Sequence, residues 1–557
     1  MDINYIIVQA GGKGSRMESL TRNKPKALVP VDNLPMIFHL FKKYPDKKFI
    51  VIGDYKYEVL EKYLSKFAKV DYKMVCGSGH KGTCAGLQDA LKSIPDGEKF
   101  MLIWCDLVLP IDYEFPDTDG NVVGISKDFP CRWRYEKGEF KEEKSSKHGV
   151  AGHFIFKDKS VIKDVPKDGE FVRWLQGQNI DFAVQPLYKT HEYGLYSEWD
   201  KLPKQRTRPF NRIEVDEDKL FKIPLDEQGK SLAVREQAWY RELKEKDFKN
   251  IPKIYGYDPL CMELVEGKNI YEYRDIPFED KVSILKQIVG VLKEIHEMAE
   301  VRADEESFRV AYLDKTYDRL KKVRYLVPFA NDKTVVVNGK VCRNIFYHQD
   351  EVENMVMEYM PEKFNLIHGD CTFSNTMLKH DKTPVLIDPR GYFGNTKLYG
   401  DAAYDWVKIY YSLVSNYDQF NLKKFNLYIN DNEVRTSFEN RGEIITLDPC
   451  TVRLDIASNH WEGLEDFFFE LLDGEVTRKQ MKLFLAITWL SLTTYAWEDY
   501  DSICGAFYNG LYYLEEALEL EESENKEIKI SAYDDYFKRN IGYIDEALKS
   551  VSKNQME

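Results

Sequence analysis

Positive charge is the first thing in short supply. Lysine and arginine number 79 against 93 aspartates and glutamates, leaving a net charge of −14. A general nucleic-acid binder needs a basic face, so that class is excluded, although local basic pockets for phosphates are not. Cysteine is sparse and odd in number, nine in all, with no C-x-x-C pair and no zinc-like Cys/His spacing. Free thiols in a reducing cytoplasm are expected rather than a disulfide framework or a structural zinc. Long apolar runs are missing too. The longest stretch, Leu483 to Trp497, is broken by threonines and reads as a buried helix, not a membrane span. The opening residues Met-Asp-Ile-Asn-Tyr lack the basic region of a signal peptide. There is no internal repeat and no low-complexity tract.

What is present is a globular balance, 43% hydrophobic and 31% charged. A chain of 557 residues is too long for one core, and about two to four domains are expected. Short apolar runs at Tyr5–Val8, Phe49–Ile52 and Phe100–Trp104 alternate with helix-like stretches at Tyr57–Phe67 and Thr83–Leu91. That alternation predicts an α/β sheet with right-handed crossovers. Residues 197–210 are polar and read as a linker. Beyond them, Arg212–Val215 and Lys219–Ile223 predict a hairpin, Ala233–Lys244 a charged helix, and the chain from about Glu279 a mostly helical region rich in tyrosine and phenylalanine.

The first constellation is Gln9-Ala-Gly-Gly-Lys-Gly-Ser-Arg-Met17 followed by Pro25-Lys-Ala-Leu-Val-Pro-Val31. Gly11, Gly12 and Gly14 let the backbone approach a triphosphate and turn N–H groups toward it. Arg16 and Lys26 place positive charge where a pyrophosphate leaving group gains negative charge. These motifs resemble the nucleoside-triphosphate transferase family, which includes sugar-1-phosphate nucleotidyltransferases and phosphocholine cytidylyltransferases. The resemblance runs from about Met1 to Lys201 and implies a Rossmann-like sheet. By it, Gln9, Ser15 and the three glycines bind nucleotide, and Gly82-Thr83, at the start of a helix, contacts the base. It also makes Arg16 and Lys26 catalytic. Asp106 then stands where the family holds a metal ion, and Glu192, in Glu192-Tyr-Gly194, is the nearest match to a second metal carboxylate, with an ordinary surface glutamate as its alternative.

The second constellation is His368-Gly-Asp-Cys-Thr-Phe-Ser-Asn375 followed by Val385-Leu-Ile-Asp-Pro-Arg-Gly391. An aspartate can accept the proton of an attacking hydroxyl. An asparagine five residues later and an aspartate ending an apolar strand can hold Mg²⁺ against nucleotide phosphates. The set resembles the aminoglycoside phosphotransferase and choline kinase family, with its bilobal protein-kinase-like α+β fold. The resemblance implies Asp370 as the catalytic carboxylate, Asn375 and Asp388 as metal ligands, and Lys222 with Glu236 as the phosphate-binding lysine and its helix partner. Met262-Glu-Leu264 then matches the hinge that meets adenine. One departure bears on the acceptor: Asp388-Pro-Arg-Gly stands where eukaryotic choline kinases carry an Asp-Phe-Glu-like segment.

Together these readings predict an α/β nucleotidyltransferase domain over residues 1–201 and a kinase domain over 202–557. The expected enzyme is bifunctional. It phosphorylates a small, choline-like alcohol with ATP, then couples the phosphate to a nucleotide from CTP or another NTP, with Mg²⁺ in both domains, to give an activated group for surface polysaccharide. A sugar or polyol acceptor, served by the charged segment Asp128–Lys147 with Trp133, is the alternative, as is a non-catalytic nucleotide-binding first domain. Trp406, Trp461, Trp489 and Trp497 are expected chiefly in the core, with an aromatic cage for a quaternary ammonium as the second reading. Asp401 and Asp405 either bind acceptor or cap and brace helices. Base identity and oligomeric state leave no mark on the sequence.

Overall fold

The computed structural model describes residues 3–202, 211–440 and 442–520. Its first part is built on a nine-stranded sheet. The strand Tyr5–Gln9 lies at the centre, parallel to Lys48–Gly53 on one side and Phe100–Trp104 on the other, and Asp71–Cys76 extends the parallel set. Ile6, Ile7 and Val8 are all fully buried, as expected of a strand covered on both faces. The helix Tyr57–Phe67 makes one crossover and buries Leu60, Tyr63 and Leu64. Gly149–Phe156 then joins Phe100–Trp104 antiparallel and carries the mixed outer part of the sheet. In register, Gln9 stands opposite Ile52 and Trp104. The glycine loop and Asp106 therefore leave the sheet at the same carboxyl edge, where open α/β sheets bind ligands.

The second part opens with a four-stranded antiparallel sheet ordered Asn211–Asp216, Lys219–Pro224, Leu260–Glu263, Ile254–Tyr257. The long helix Glu227–Glu245 follows. It starts six residues before the sequence expectation because Asp226 caps it, its carboxylate accepting the Gly229 N–H at 2.7 Å. The larger lobe is helical, built from Phe278–Met298, Ala402–Leu413, Arg478–Leu492 and Tyr500–Glu519. Arg478–Leu492 has buried residues almost throughout, which accounts for its apolar sequence. No helix among the described residues is long and apolar enough to cross a membrane.

Several expectations need correction. The region after Glu279 contains a second four-stranded sheet, Lys340–Arg343, Thr334–Val337, Thr451–Ile456 and Phe425–Asn430, with a hairpin Thr436–Asn440/Glu443–Leu447. Thr334–Val337 and Thr451–Ile456 pair across more than a hundred residues of sequence, which no local pattern reveals. The charged segment 128–147 belongs partly to the sheet: Arg134–Glu136 and Glu139–Lys141 pair within it, and Trp133 is buried. The segment read as a linker begins inside a short helix, Tyr196–Asp200, whose Trp199 Nε1 donates to the Pro30 carbonyl at 2.7 Å. Residues 203–210 of that segment lie outside the described residues, as do Met1, Asp2 and 521–557.

The two parts share one continuous hydrophobic cluster, which contains Phe38 and Tyr63 of the first and Trp489 and Tyr500 of the second. Trp497 packs on Phe38 at 5.4 Å and on Phe67 at 5.8 Å. The Tyr63 hydroxyl donates to the Trp497 carbonyl. At the centre of the contact, Lys24 is 2% exposed and pairs with Asp499, at 3.0 Å, and with Asp501. Asn23 donates to the Leu427 carbonyl and to Asp501, both at 3.0 Å, and Arg22 lies 4.1 Å from the centre of the Tyr428 ring. Burial works against the Lys24 charge, but Asp499 and Asp501 outweigh it and hold the ammonium above the ordinary lysine range.

Candidate functional sites

The first site gathers at the carboxyl edge of the parallel strands. Residues 10–14 form the loop after Tyr5–Gln9, and Ser15, Arg16 and Met17 enter a 3₁₀ turn. Gln9 Nε2 donates to the Thr83 carbonyl at 2.7 Å, tying the strand end to the Gly82-Thr83 turn. That turn does not start a helix; the helix begins at Leu87. Gly82 has φ +84°, and a Cβ there would lie 2.3 Å from the Gly169 carbonyl oxygen. The close neighbour is the loop 168–171, whose Phe171 N–H donates to Thr83 Oγ1 at 2.8 Å. The turn therefore owes its shape to a distant loop, and nothing in its own sequence disclosed that. Gly82→Ala is expected to cost the fold about 1–3 kcal/mol and to raise KM for the nucleotide in nucleotidyl transfer, with phosphoryl transfer unaffected. Unchanged nucleotide KM would show that the turn does not meet the nucleotide.

Lys26 and Asp106 are both buried and form an ion pair. The Asp106 carbonyl accepts from Tyr193 N at 3.0 Å, and Glu192 pairs with Leu107 across two short strands, so Glu192 stands beside Asp106. A Cβ on Gly194 would fall 2.7 Å from Glu192 Oε1 and 3.4 Å from Arg16 Nη2, which places Arg16 against the same carboxylate. Glu192 titrates above the ordinary carboxylate range, first through burial and then through the Asp106 charge, with Lys26 and Arg16 opposing. Arg16, Lys26, Asp106 and Glu192, distant in sequence, thus share one charged cluster.

The second site lies between the small sheet and the helical lobe, in a cavity of about 410 Å³ lined by Lys222, Glu236, Asp370, Asn375 and Asp388. Lys222 Nζ reaches Glu236 Oε2 and Asp388 Oδ1, each at 2.8 Å. Burial opposes its charge, yet Asp388 and Glu236 hold the ammonium above the ordinary range. Asn375 Nδ2 donates to Asp370 Oδ2 at 2.9 Å and to the Asp370 carbonyl at 2.7 Å, fixing the loop between them. Lys408 Nζ meets Asp370 Oδ1 at 3.0 Å. No sequence motif marked Lys408; the helix Ala402–Leu413 brings it in from outside the catalytic loop.

Asp405 braces that loop from below. It is fully buried, accepts from His368 N at 2.9 Å and Gly369 N at 2.7 Å, and meets His296 Nε2 at 3.0 Å. Asp401 caps its helix by accepting the Ala403 N–H at 3.0 Å and also accepts the Tyr312 hydroxyl at 2.9 Å. Neither lines the cavity, so both are braces. Trp406, Trp461 and Trp489 are fully buried core residues, and Trp497 lies at the contact between the two parts. None of these tryptophans lines the cavity. Met262 sits in the strand Leu260–Glu263, and Leu264 N–H donates to the Asp218 carbonyl at 2.8 Å, so that donor is engaged within the lobe.

A doubly wound sheet with a glycine loop, followed by a two-lobed body with an Asp/Asn/Asp set, defines a chain of two phosphate-handling transferase domains. Residues 6–113 match the MobA-like NTP transferase domain, and residues 205–432 match the phosphotransferase enzyme family. The chain therefore carries a MobA-like NTP transferase domain followed by a phosphotransferase domain. It is 29% identical over 150 residues to a UTP–glucose-1-phosphate uridylyltransferase, AglF, of Haloferax volcanii, covering 26% of this chain and 58% of that protein. It is 30% identical over 92 residues to a D-glycero-alpha-D-manno-heptose 1-phosphate guanylyltransferase of Campylobacter jejuni, covering 16% and 42%. The chain thus spans about half the length of these relatives. Among solved structures, HddC from Yersinia pseudotuberculosis aligns with 19% identity and a TM-score of 0.31, over 36% of this chain and 97% of that one.

Proposed function

We propose that the chain is a bifunctional enzyme that phosphorylates a small alcohol with ATP and joins a phosphorylated acceptor to a nucleotide. The observation that carries this reading is the presence of two separate charged sites in one chain: Arg16, Lys26, Asp106 and Glu192 at one sheet edge, and Lys222, Asp370, Asn375 and Asp388 in one cavity. A nucleotide-binding module without chemistry has no need of a buried lysine–aspartate pair beside a second carboxylate.

In the kinase half, Asp370 accepts the hydroxyl proton as the alcohol oxygen bonds to the γ-phosphorus. The bond from that phosphorus to the bridging oxygen breaks, and ADP leaves with the electron pair. Lys222, held in place by Glu236, binds the nucleotide phosphates. In the first half, an acceptor phosphate oxygen attacks the α-phosphorus and pyrophosphate leaves. Arg16 and Lys26 stabilise its growing charge, while the backbone from Gln9 to Ser15, with its glycines at 11, 12 and 14, cradles the triphosphate. Gly82 and Thr83 contact the base.

Magnesium suits both sites. The donors are oxygens of Asp106 and Glu192 in one and of Asn375 and Asp388 in the other, as a hard cation prefers. Among the described residues no group of three or more His, Cys, Asp or Glu side chains comes together as a metal cage. When bound, magnesium supplies neutralisation of phosphate charge.

The base is taken to be cytosine, and the product an activated group for surface polysaccharide, on the strength of the family resemblance. The division into residues 1–201 and 202–557 belongs to the same proposal. Incubation of the full chain with ATP, CTP, Mg²⁺ and a panel of small alcohols, read by mass spectrometry, tests it. A CDP-linked product that needs ATP is expected. Phosphorylated alcohol with no nucleotidyl product from any NTP would leave the kinase and remove the transferase.

A further inference from the structure

The acceptor side of the kinase cavity carries an excess of positive charge. Lys315 and Arg319 stand one turn apart on the helix Lys315–Val323, Arg390 follows Asp388 in sequence, and Lys408 reaches in to Asp370. Among the described residues no carboxylate forms an ion pair with Lys315, Arg319 or Arg390. Arg319 donates to the Ser491 carbonyl, and Arg390 donates to the hydroxyls of Tyr404 and, at 3.0 Å, Tyr392. These neutral partners orient the guanidinium groups without cancelling their charge. Like charges four residues apart on one helix repel, and Asp370, already paired with Lys408, is the acid that offsets Lys315 and Arg390, so these enclosed cations outnumber their counter-charge. The Lys315 ammonium is accordingly driven well below its ordinary range, by burial and then by Arg390, Arg319 and Lys408, with Asp370 opposing. Burial alone would raise the Tyr392 phenol, yet Arg390, Arg235 and Arg319 hold it below its ordinary range.

The tyrosines of the same wall do not form a cage for a cationic substrate. Arg390 lies 4.3 Å from the Tyr392 ring centre, Arg319 lies 5.7 Å from Tyr495, and Lys408 lies 5.5 Å from Tyr404. Tyr411 stacks on Tyr417 at 4.0 Å. The protein's own cations and rings already occupy the aromatic faces that a quaternary ammonium would need.

We propose that the kinase acceptor is an alcohol that itself bears an anionic group, a carboxylate or a phosphate, held by Lys315, Arg319 and Arg390 while its hydroxyl faces Asp370. The inference rests on the kinase reading above and narrows its acceptor. Guanidinium groups present forked donors that match either oxyanion. The anionic group takes no part in the transfer: the hydroxyl oxygen bonds to phosphorus, its proton goes to Asp370, and ADP departs.

The test uses the full chain with Mg²⁺ and ATP. ADP release is followed with hydroxy acids such as D-glycerate and phosphorylated polyols such as sn-glycerol 3-phosphate, against glycerol and choline. An anionic alcohol is expected to exceed glycerol in kcat/KM by about 30-fold or more. Which of the two anionic sets wins separates carboxylate from phosphate. Arg319→Met and Lys315→Met should each raise KM for that alcohol about tenfold, with the effect on the acceptor rather than on ATP. Preference for choline or glycerol overturns the inference and leaves the kinase standing. An equal rise in the ATP KM assigns the cations to the triphosphate and also overturns it. Should no alcohol turn over, calorimetry with a non-hydrolysable ATP analogue decides. Anionic alcohols that bind the wild type and not Arg319→Met support the inference, and no binding ends it. Failure to bind the nucleotide itself brings down the kinase reading instead.

Discussion

Replacing Asp370 with alanine should lower phosphoryl transfer by about 10²–10⁴-fold, the range for loss of a positioned proton acceptor, and leave nucleotidyl transfer to a supplied phosphorylated acceptor intact. The cavity holds two other carboxylates, Glu236 and Asp388, and both are engaged with Lys222. Neither can take over at the acceptor hydroxyl. Asp370→Ala also frees Lys408 from its ion pair, so Asp370→Asn is the companion variant. It keeps the shape and a partner for Asn375 while removing the basic oxygen. Both variants should fail alike, with KM for ATP little changed. Steady-state ADP release measures the effect. Near-wild-type turnover in Asp370→Asn would show that the proton leaves by another route.

Lys24→Met is the second large effect, and it falls on folding before chemistry. The lysine lies within the NTP transferase domain, and both its partners lie on the helical lobe of the second part. Removing it leaves Asp499 and Asp501 buried next to each other without their cation. Breaking a buried pair in this way costs about 3–5 kcal/mol. Lys423 lies 3.6 Å from Asp499 and recovers part of the loss. Lys24 is also two residues from Lys26, so the variant should weaken nucleotidyl transfer more than phosphoryl transfer. Urea unfolding and the two activity assays, run on one preparation, check both claims. Unchanged stability with unchanged nucleotidyl transfer would mean that the contact between the halves is incidental. Asp501→Asn offers a milder comparison, because the amide still accepts from Lys24.

Much of the fold was legible because its signals are local. The strands at Tyr5, Phe49 and Phe100 are apolar runs, and the helix Tyr57–Phe67 shows its buried face in its own periodicity. The two motif segments could be read for the same reason: each packs much of its chemistry into about two dozen consecutive residues, Gln9–Val31 and His368–Gly391. What could not be read depends on partners far away in the chain. Gly82-Thr83 looks like a helix start, and only the loop at Gly169 holds it as a turn. The second sheet of the kinase half depends on a pairing of Val336 with Thr451. Lys408, Lys315 and Arg319 carry no motif, since lysines and arginines on helices are ordinary surface residues until the fold aims them into a cavity. The tryptophans were legible as core, and Trp406, Trp461 and Trp489 are core, because large aromatic rings fill space more often than they bind.

The burial of Lys24 has a consequence for descent. A buried lysine at position 24 depends on the acids at 499 and 501, and those acids depend largely on the lysine, with Lys423 as a lesser partner of Asp499. The three positions are therefore expected to change as a set, although almost the whole chain separates them. A recombination that exchanges either enzyme for that of a distant cousin breaks the set at once. A lineage that has lost either acid is expected to have lost the lysine as well.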